Sequence, residues 1–220
     1  MSTPALPDGT PALPEGLRRF IDRRRTAPEE RCELCGVAIA HEHSHLVERE
    51  NRRLVCACRP CYLVFMPKGA SGGRFKCVPD RYLHDDAFDM TPAQWDDLQI
   101  PVAMAFFFYN SDLAKSVAFY PGPAGATESL LPLDSWETMR ETNPLFKSIE
   151  DDVEALLVRR EGDTFECYLV PIDVCYELVG LVRLHWKGFD GGEEARTAIA
   201  GFFDGLRERS KPVPLAGSAS

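Results

Sequence analysis

The chain has 220 residues, a formal charge of −9 at pH 7 and 45% hydrophobic side chains. That is enough apolar material for one medium domain with a small module attached, and the acidic balance speaks against a nucleic-acid-binding protein. The longest apolar run, Val102 to Phe108, has the length of a strand and falls far short of a membrane span.

Eight cysteines in a short chain suggest either a disulfide framework or a metal protein. No apolar signal segment follows Met1, so the thiols are expected reduced and the protein cytoplasmic. Charge is unevenly spread. Residues 1–76 hold thirteen Lys and Arg against nine Asp and Glu, whereas the rest holds twelve against twenty-five.

Residues 1–16 are rich in proline and read as a disordered tail. Leu17 to Arg25 has the spacing of a short helix, with Leu17, Phe20 and Ile21 on one face and an arginine-rich face in solvent. This helix and a metal module are expected to fill residues 17–84. Arg53-Leu54-Val55 reads as a strand, Tyr62 to Met66 as a second apolar strand, and Lys68 to Gly73 as a flexible loop.

Residues 85–210 form the larger domain in this reading. Thr91 and Pro92 signal a helix start. Strands are expected over Val102 to Tyr109 and Ser116 to Tyr120, and a loop over Pro121 to Gly125. A helix capped by Asp134 should end at Asn143-Pro144. Val153 to Val158 and Phe165 to Val170 make a second strand pair turned at Gly162. Ile172 to Trp186, with Asp173 as its cap, and Glu193 to Arg209 are the last helices, and residues 211–220 are a loose tail. The fold class is therefore α+β: a small N-terminal zinc-ribbon-like (rubredoxin-like) module, followed by a domain with an antiparallel sheet and flanking helices.

Five cysteines carry the chemistry. Cys32-Glu33-Leu34-Cys35-Gly36 and Cys56-Ala57-Cys58-Arg59-Pro60-Cys61 hold two C-x-x-C pairs with twenty-two residues between them. Four thiolates at that spacing make a tetrahedral sulfur site, and Gly36 supplies the sharp turn of a metal knuckle. The expected ligands are Cys32, Cys35, Cys58 and Cys61, with zinc as the metal and iron as the alternative; Cys56 is a spare that could replace Cys58.

His41, His43 and His45 alternate, so on a strand they share a face. With Asn51 and the cysteine pairs they resemble the HNH nucleases. However, Asn51 follows His45 closely, and Tyr62 stands where such enzymes often carry histidine. The preferred reading is one histidine hydrogen-bonded beside the metal and the others exposed. Cys167 and Cys175 read as core residues, as do Trp186 and Phe189, and Gly191-Gly192 as a cap or hinge. No Gly-rich phosphate loop, nucleophile elbow or base–nucleophile spacing is visible, so no catalytic residue is assigned.

Several stretches together resemble a bacterial family of unknown function: Cys32 to Gly36, His43 to Leu46, Cys56 to Cys61, Ile100 to Phe108, Phe119 to Glu128, Asp152 to Leu157 and Pro171 to Gly192. Members of that family are similar to accessory proteins encoded beside uptake nickel–iron hydrogenases. The resemblance implies a partner-docking or assembly role, with a hydrogenase subunit or maturation factor as partner, and names no reaction. Arg52, Arg53 and Arg59 around the knuckles are the expected docking surface for an acidic partner. Electron transfer through a four-cysteine iron is the rival reading, and an HNH-like nuclease the third.

Overall fold

A computed structural model of the protein describes residues 29–129, 136, 143–188 and 191–213. The expected N-terminal tail, the Leu17 to Arg25 helix, the Asp134 cap, Phe189 and the last residues of the tail lie outside the described residues.

The first sheet is three-stranded and antiparallel in the order β2-β1-β3, with β1 Ser44–Glu48, β2 Arg53–Ala57 and β3 Phe75–Cys77. Helix α1, Arg59–Phe65, closes one face. This is a correction, since Tyr62 to Met66 was expected to be a strand. Pro60 occupies the first turn, where its missing N–H costs nothing, and Cys58 stands at the N-cap. The helical turn brings Cys61, Tyr62 and Phe65 onto the small core of Leu46, Val55 and Ala57. It leaves Leu63, Val64 and Met66 outside. The expected loop at Lys68 to Gly73 contains a 3-10 turn, Ala70–Gly73.

The second sheet has seven strands in the order β10-β4-β9-β8-β5-β6-β7. These are β4 Leu83–His84, β5 Met104–Asn110, β6 Lys115–Gly122, β7 Gly125–Ser129, β8 Glu154–Glu161, β9 Thr164–Pro171 and β10 Lys211–Pro212. All pairings are antiparallel except β10 on β4, so Lys211 and Pro212 belong to the sheet rather than to a loose tail. Between β4 and β5, α2 spans Pro92–Asp97, and Thr91 caps it in a reciprocal box with Gln94.

Pro121 and Gly122 were expected in a loop but continue β6, which turns through Pro123-Ala124 into the edge strand β7. The β5 ladder on β6 ends at Phe119, so Pro121 has no donor to supply on that side. Asn143 accepts from Leu145 N at 2.8 Å and caps the short helix α3, Pro144–Lys147. Asn143-Pro144 therefore starts a helix as well as limiting what precedes it.

Strand alternation divides the larger core in two. Phe106, Phe108, Leu157, Tyr168 and Val170 face helices α4, Ile172–His185, and α5, Gly192–Arg209. Ala105, Phe107, Leu156, Val158 and Leu169 face Trp95, Trp136, Leu145 and Phe146 on the other side. Phe107 stacks on Trp136 with ring centroids 3.6 Å apart. Cys167 and Cys175 are buried among these side chains. Gly191 caps α5 at φ 82°, with the Trp186 ring against it. Both faces of the sheet are covered, which explains the nearly continuous apolar run of β5.

The two sheets share a seam. Leu46 points into the small core, whereas Val47 and Leu54, cross-strand partners on the other face of the hairpin, pack against the larger core. That face of the hairpin therefore meets α4.

Candidate metal centre

The first C-x-x-C is built by a tight turn. Cys32 N donates to Val37 O at 2.9 Å and Gly36 N donates to Cys32 O at 2.8 Å. Gly36 sits at φ 77°, where a side chain would be strained. The turn is braced against β2: Glu33 N donates to Cys56 O, and Cys56 N returns a bond to Glu33 Oε1, both at 2.9 Å. The second pair is held differently. Cys58 precedes α1 and Cys61 lies in its first turn, tied by Tyr62 N to Cys58 O at 3.0 Å.

These two devices bring the sulfurs of Cys32, Cys35, Cys58 and Cys61 within 4.8 Å of one another, and Cys35 and Cys58 lie 3.6 Å apart. Sulfurs bound about 2.3 Å from one tetrahedral ion stand about 3.8 Å apart, so the quartet fits a metal. Cys32 is buried and Cys35 exposed, which leaves one edge of the centre at the surface.

Local electrostatics suit thiolate chemistry. Burial raises the Cys32 thiol, but bonds from the backbone of Cys58, Cys35 and Leu34 outweigh it and bring it to about 6. Its neighbours carry the compensating protons: Cys61 is pushed up to about 12, first by its bond to Cys58 and then by burial. A cation among the four would displace those protons.

Cys56 is not among the four. It is the cross-strand partner of His45, and one ligand atom each from His43, His45 and Cys56 lies within 4.8 Å of the others. Burial first, then the charges of Glu33 and Glu30, raise its thiol above the ordinary 9.0. His41 is exposed. His43 is enclosed: its side chain is 8% exposed and its Nδ1 donates to Ala40 O at 2.9 Å. His45 Nδ1 donates to Asp173 Oδ2 at 2.8 Å. Asp173 is thus a partner of His45 in the first turn of α4 rather than its cap, a place held by Pro171. Asn51, the third element of the nuclease resemblance, donates to Glu48 at 3.2 Å.

The family model that matches residues 31–210 spans both the cysteine quartet and the larger sheet. The chain belongs to the family of unknown function DUF5947. Neither a curated protein nor a solved structure matches it significantly. In this DUF5947 chain the arginines expected to dock an acidic partner are largely engaged within the molecule. Arg53 pairs with Glu33 and Glu48, Arg52 faces Glu128 at 3.8 Å, and Arg59 lies over the Tyr62 ring. Exposed apolar side chains accompany them: Leu34 and Val37 at the first turn, Leu63, Val64 and Met66 at α1. No helix among the described residues is long and apolar enough to cross a membrane.

Proposed function

We propose that this protein is a non-catalytic, metal-binding accessory protein whose four cysteines hold structural zinc. The convergence of Cys32, Cys35, Cys58 and Cys61 on one point carries this reading. Among the described residues, Leu46, Val55 and Ala57 alone are fully buried in the core under α1, too few to hold three short strands and a two-turn helix by themselves. A zinc ion among the thiolates supplies the missing constraint. The exposed apolar side chains of Leu34, Leu63, Val64 and Met66 are then carried on a fixed frame and offered to a protein partner. The resemblance to hydrogenase-associated accessory proteins nominates a nickel–iron hydrogenase subunit or maturation factor as that partner.

The exposed edge at Cys35 favours one second reading, a rubredoxin-like electron carrier with iron in the same quartet. Metal analysis with visible spectra on untagged, iron-replete protein separates the two. Colourless protein whose zinc is lost in the Cys61→Ser variant supports the structural reading. A red protein with bands that bleach on reduction overturns it.

A further inference from the structure

From the face of the hairpin that meets α4, we infer a second metal site made by His43, His45 and Cys56, which shares no ligand with the cysteine quartet. Strand geometry sets it up. Residues 43, 45 and 47 alternate onto one face, and antiparallel register puts Cys56 opposite His45 and Leu54 opposite Val47. Val47 and Leu54 pack on the larger core, and the histidines and Cys56 continue the same face, half-buried. One ligand atom from each of the three lies within 4.8 Å of the others.

The hydrogen bonds prepare both imidazoles as ligands. Carbonyl and carboxylate oxygens only accept, so Nδ1 carries the proton in each ring: toward Ala40 O in His43 and toward Asp173 Oδ2 in His45. Each Nε2 is then a lone-pair donor. In His43 that atom is buried and has no hydrogen-bond partner, an arrangement that costs free energy unless a cation is bound there. Asp173 behind His45 is the carboxylate that typically orients a metal-bound histidine and raises its basicity.

Two imidazoles and a thiolate select a borderline divalent cation of the zinc class, and three protein ligands leave one position open. His43 and His45 line a cleft of about 750 Å³ together with Glu30, Glu42, Asp80, Asp173 and Glu177, against Arg59 and Arg209. An acidic cleft draws cations in and gives the ion its entry path. On binding, the Cys56 thiol loses its proton to solvent and the sulfur bonds the metal.

Cobalt(II) titrated into the full chain tests the site by its absorption. The expected result is uptake of a second equivalent after the four-thiolate spectrum is complete, with weaker bands of a mixed nitrogen–sulfur site. His43→Ala and Cys56→Ser should lose that second equivalent and keep the four-thiolate spectrum. If either variant misfolds, nitrogen NMR of the wild-type histidines decides: a second equivalent of zinc should shift Nε2 of His43 and His45. Saturation of the wild type after the four-thiolate site, unmoved histidine signals, or folded variants that keep both equivalents would overturn the assignment. A wild type whose histidine nitrogens shift with zinc but that never shows a four-thiolate spectrum would overturn the proposed zinc staple and keep this site.

Discussion

His45 Nδ1 and Asp173 Oδ2 lie 2.8 Å apart and join the cysteine module to the first turn of α4 across 128 residues of sequence. Asp173 has a second duty, since its Oδ1 accepts from Val174 N at 2.9 Å. The carboxylate is therefore fixed, and it fixes the imidazole in turn. Asp173→Asn keeps the shape and removes the charge. It should weaken metal binding at His43, His45 and Cys56 by roughly 10–100-fold, the usual penalty for losing such a partner. Metal held by the four cysteines should be unaffected. Competitive titration with a chromophoric chelator measures both in one sample.

Removing the metal from the quartet should melt the module and spare the larger sheet. The two cores differ in size: Leu46, Val55 and Ala57 on one side, more than a dozen buried apolar residues on each face of the seven-stranded sheet. Cys61→Ser or a strong chelator should therefore abolish amide protection over β1, β2 and α1 while protection over β5, β8 and β9 persists. Hydrogen exchange resolved by peptide measures this. Equal loss in both regions would mean that the seam, through Val47 and Leu54, makes them one cooperative unit.

Much of this was legible in the chain, for reasons that differ by residue. The cysteine spacing announces a sulfur cluster because C-x-x-C pairs demand local turns, and Gly36 marks one of them. Thr91 and Gln94 announce α2 because a capping box is a local device. The α+β class follows from strand pairs separated by turns and from two long amphipathic runs.

What was missed depends on distance or on ambiguity of period. Tyr62 to Met66 is five apolar residues long, too short for periodicity to tell strand from helix; Pro60 was the signal that should have decided it. The union of His43, His45 and Cys56 needs the register of one hairpin, set by a turn in which Arg52 adopts φ 51°. Alternating histidines and one surplus cysteine hinted at it. Nothing in the sequence pointed to Asp173 as the partner of His45, because that contact exists only once α4 is docked.

Glu48 gives the module an acid sensitivity whose sign can be worked out. Its side chain is 4% exposed, and bonds from Arg74 first, then Asn51, hold its carboxyl below the ordinary 4.5. The unfolded chain binds the proton more readily, so between the two values stability rises with pH. The contribution is complete above 4.5 and disappears as pH falls through the lower folded value. Glu48→Gln should lower the urea midpoint near neutrality, and the gap to wild type should close below 4.5. A gap independent of pH would mean that shape, rather than charge, is what Glu48 supplies.

Arg81 and Glu154 make a further buried charge contact, at the start of β8. Glu154 is fully buried at 0% exposure; Arg81 Nε donates to its Oε1 at 2.7 Å, and Glu150 N donates to its Oε2 at 2.8 Å. Arg81 also donates to Ser148 O at 2.7 Å, so one guanidinium ties the segment after the module to the loop before the sheet's central hairpin. Arg81→Met leaves a carboxylate without its counter-charge in a dry site. Breaking such a pair costs about 3–5 kcal/mol, and the lower end applies because Arg81 itself is 40% exposed. Adding Glu154→Leu removes the stranded charge and should recover most of that loss. Urea unfolding of both variants, followed by tryptophan fluorescence, measures the difference. A double variant no more stable than Arg81→Met would assign the loss to the Ser148 and Glu150 backbone contacts instead of to the ion pair.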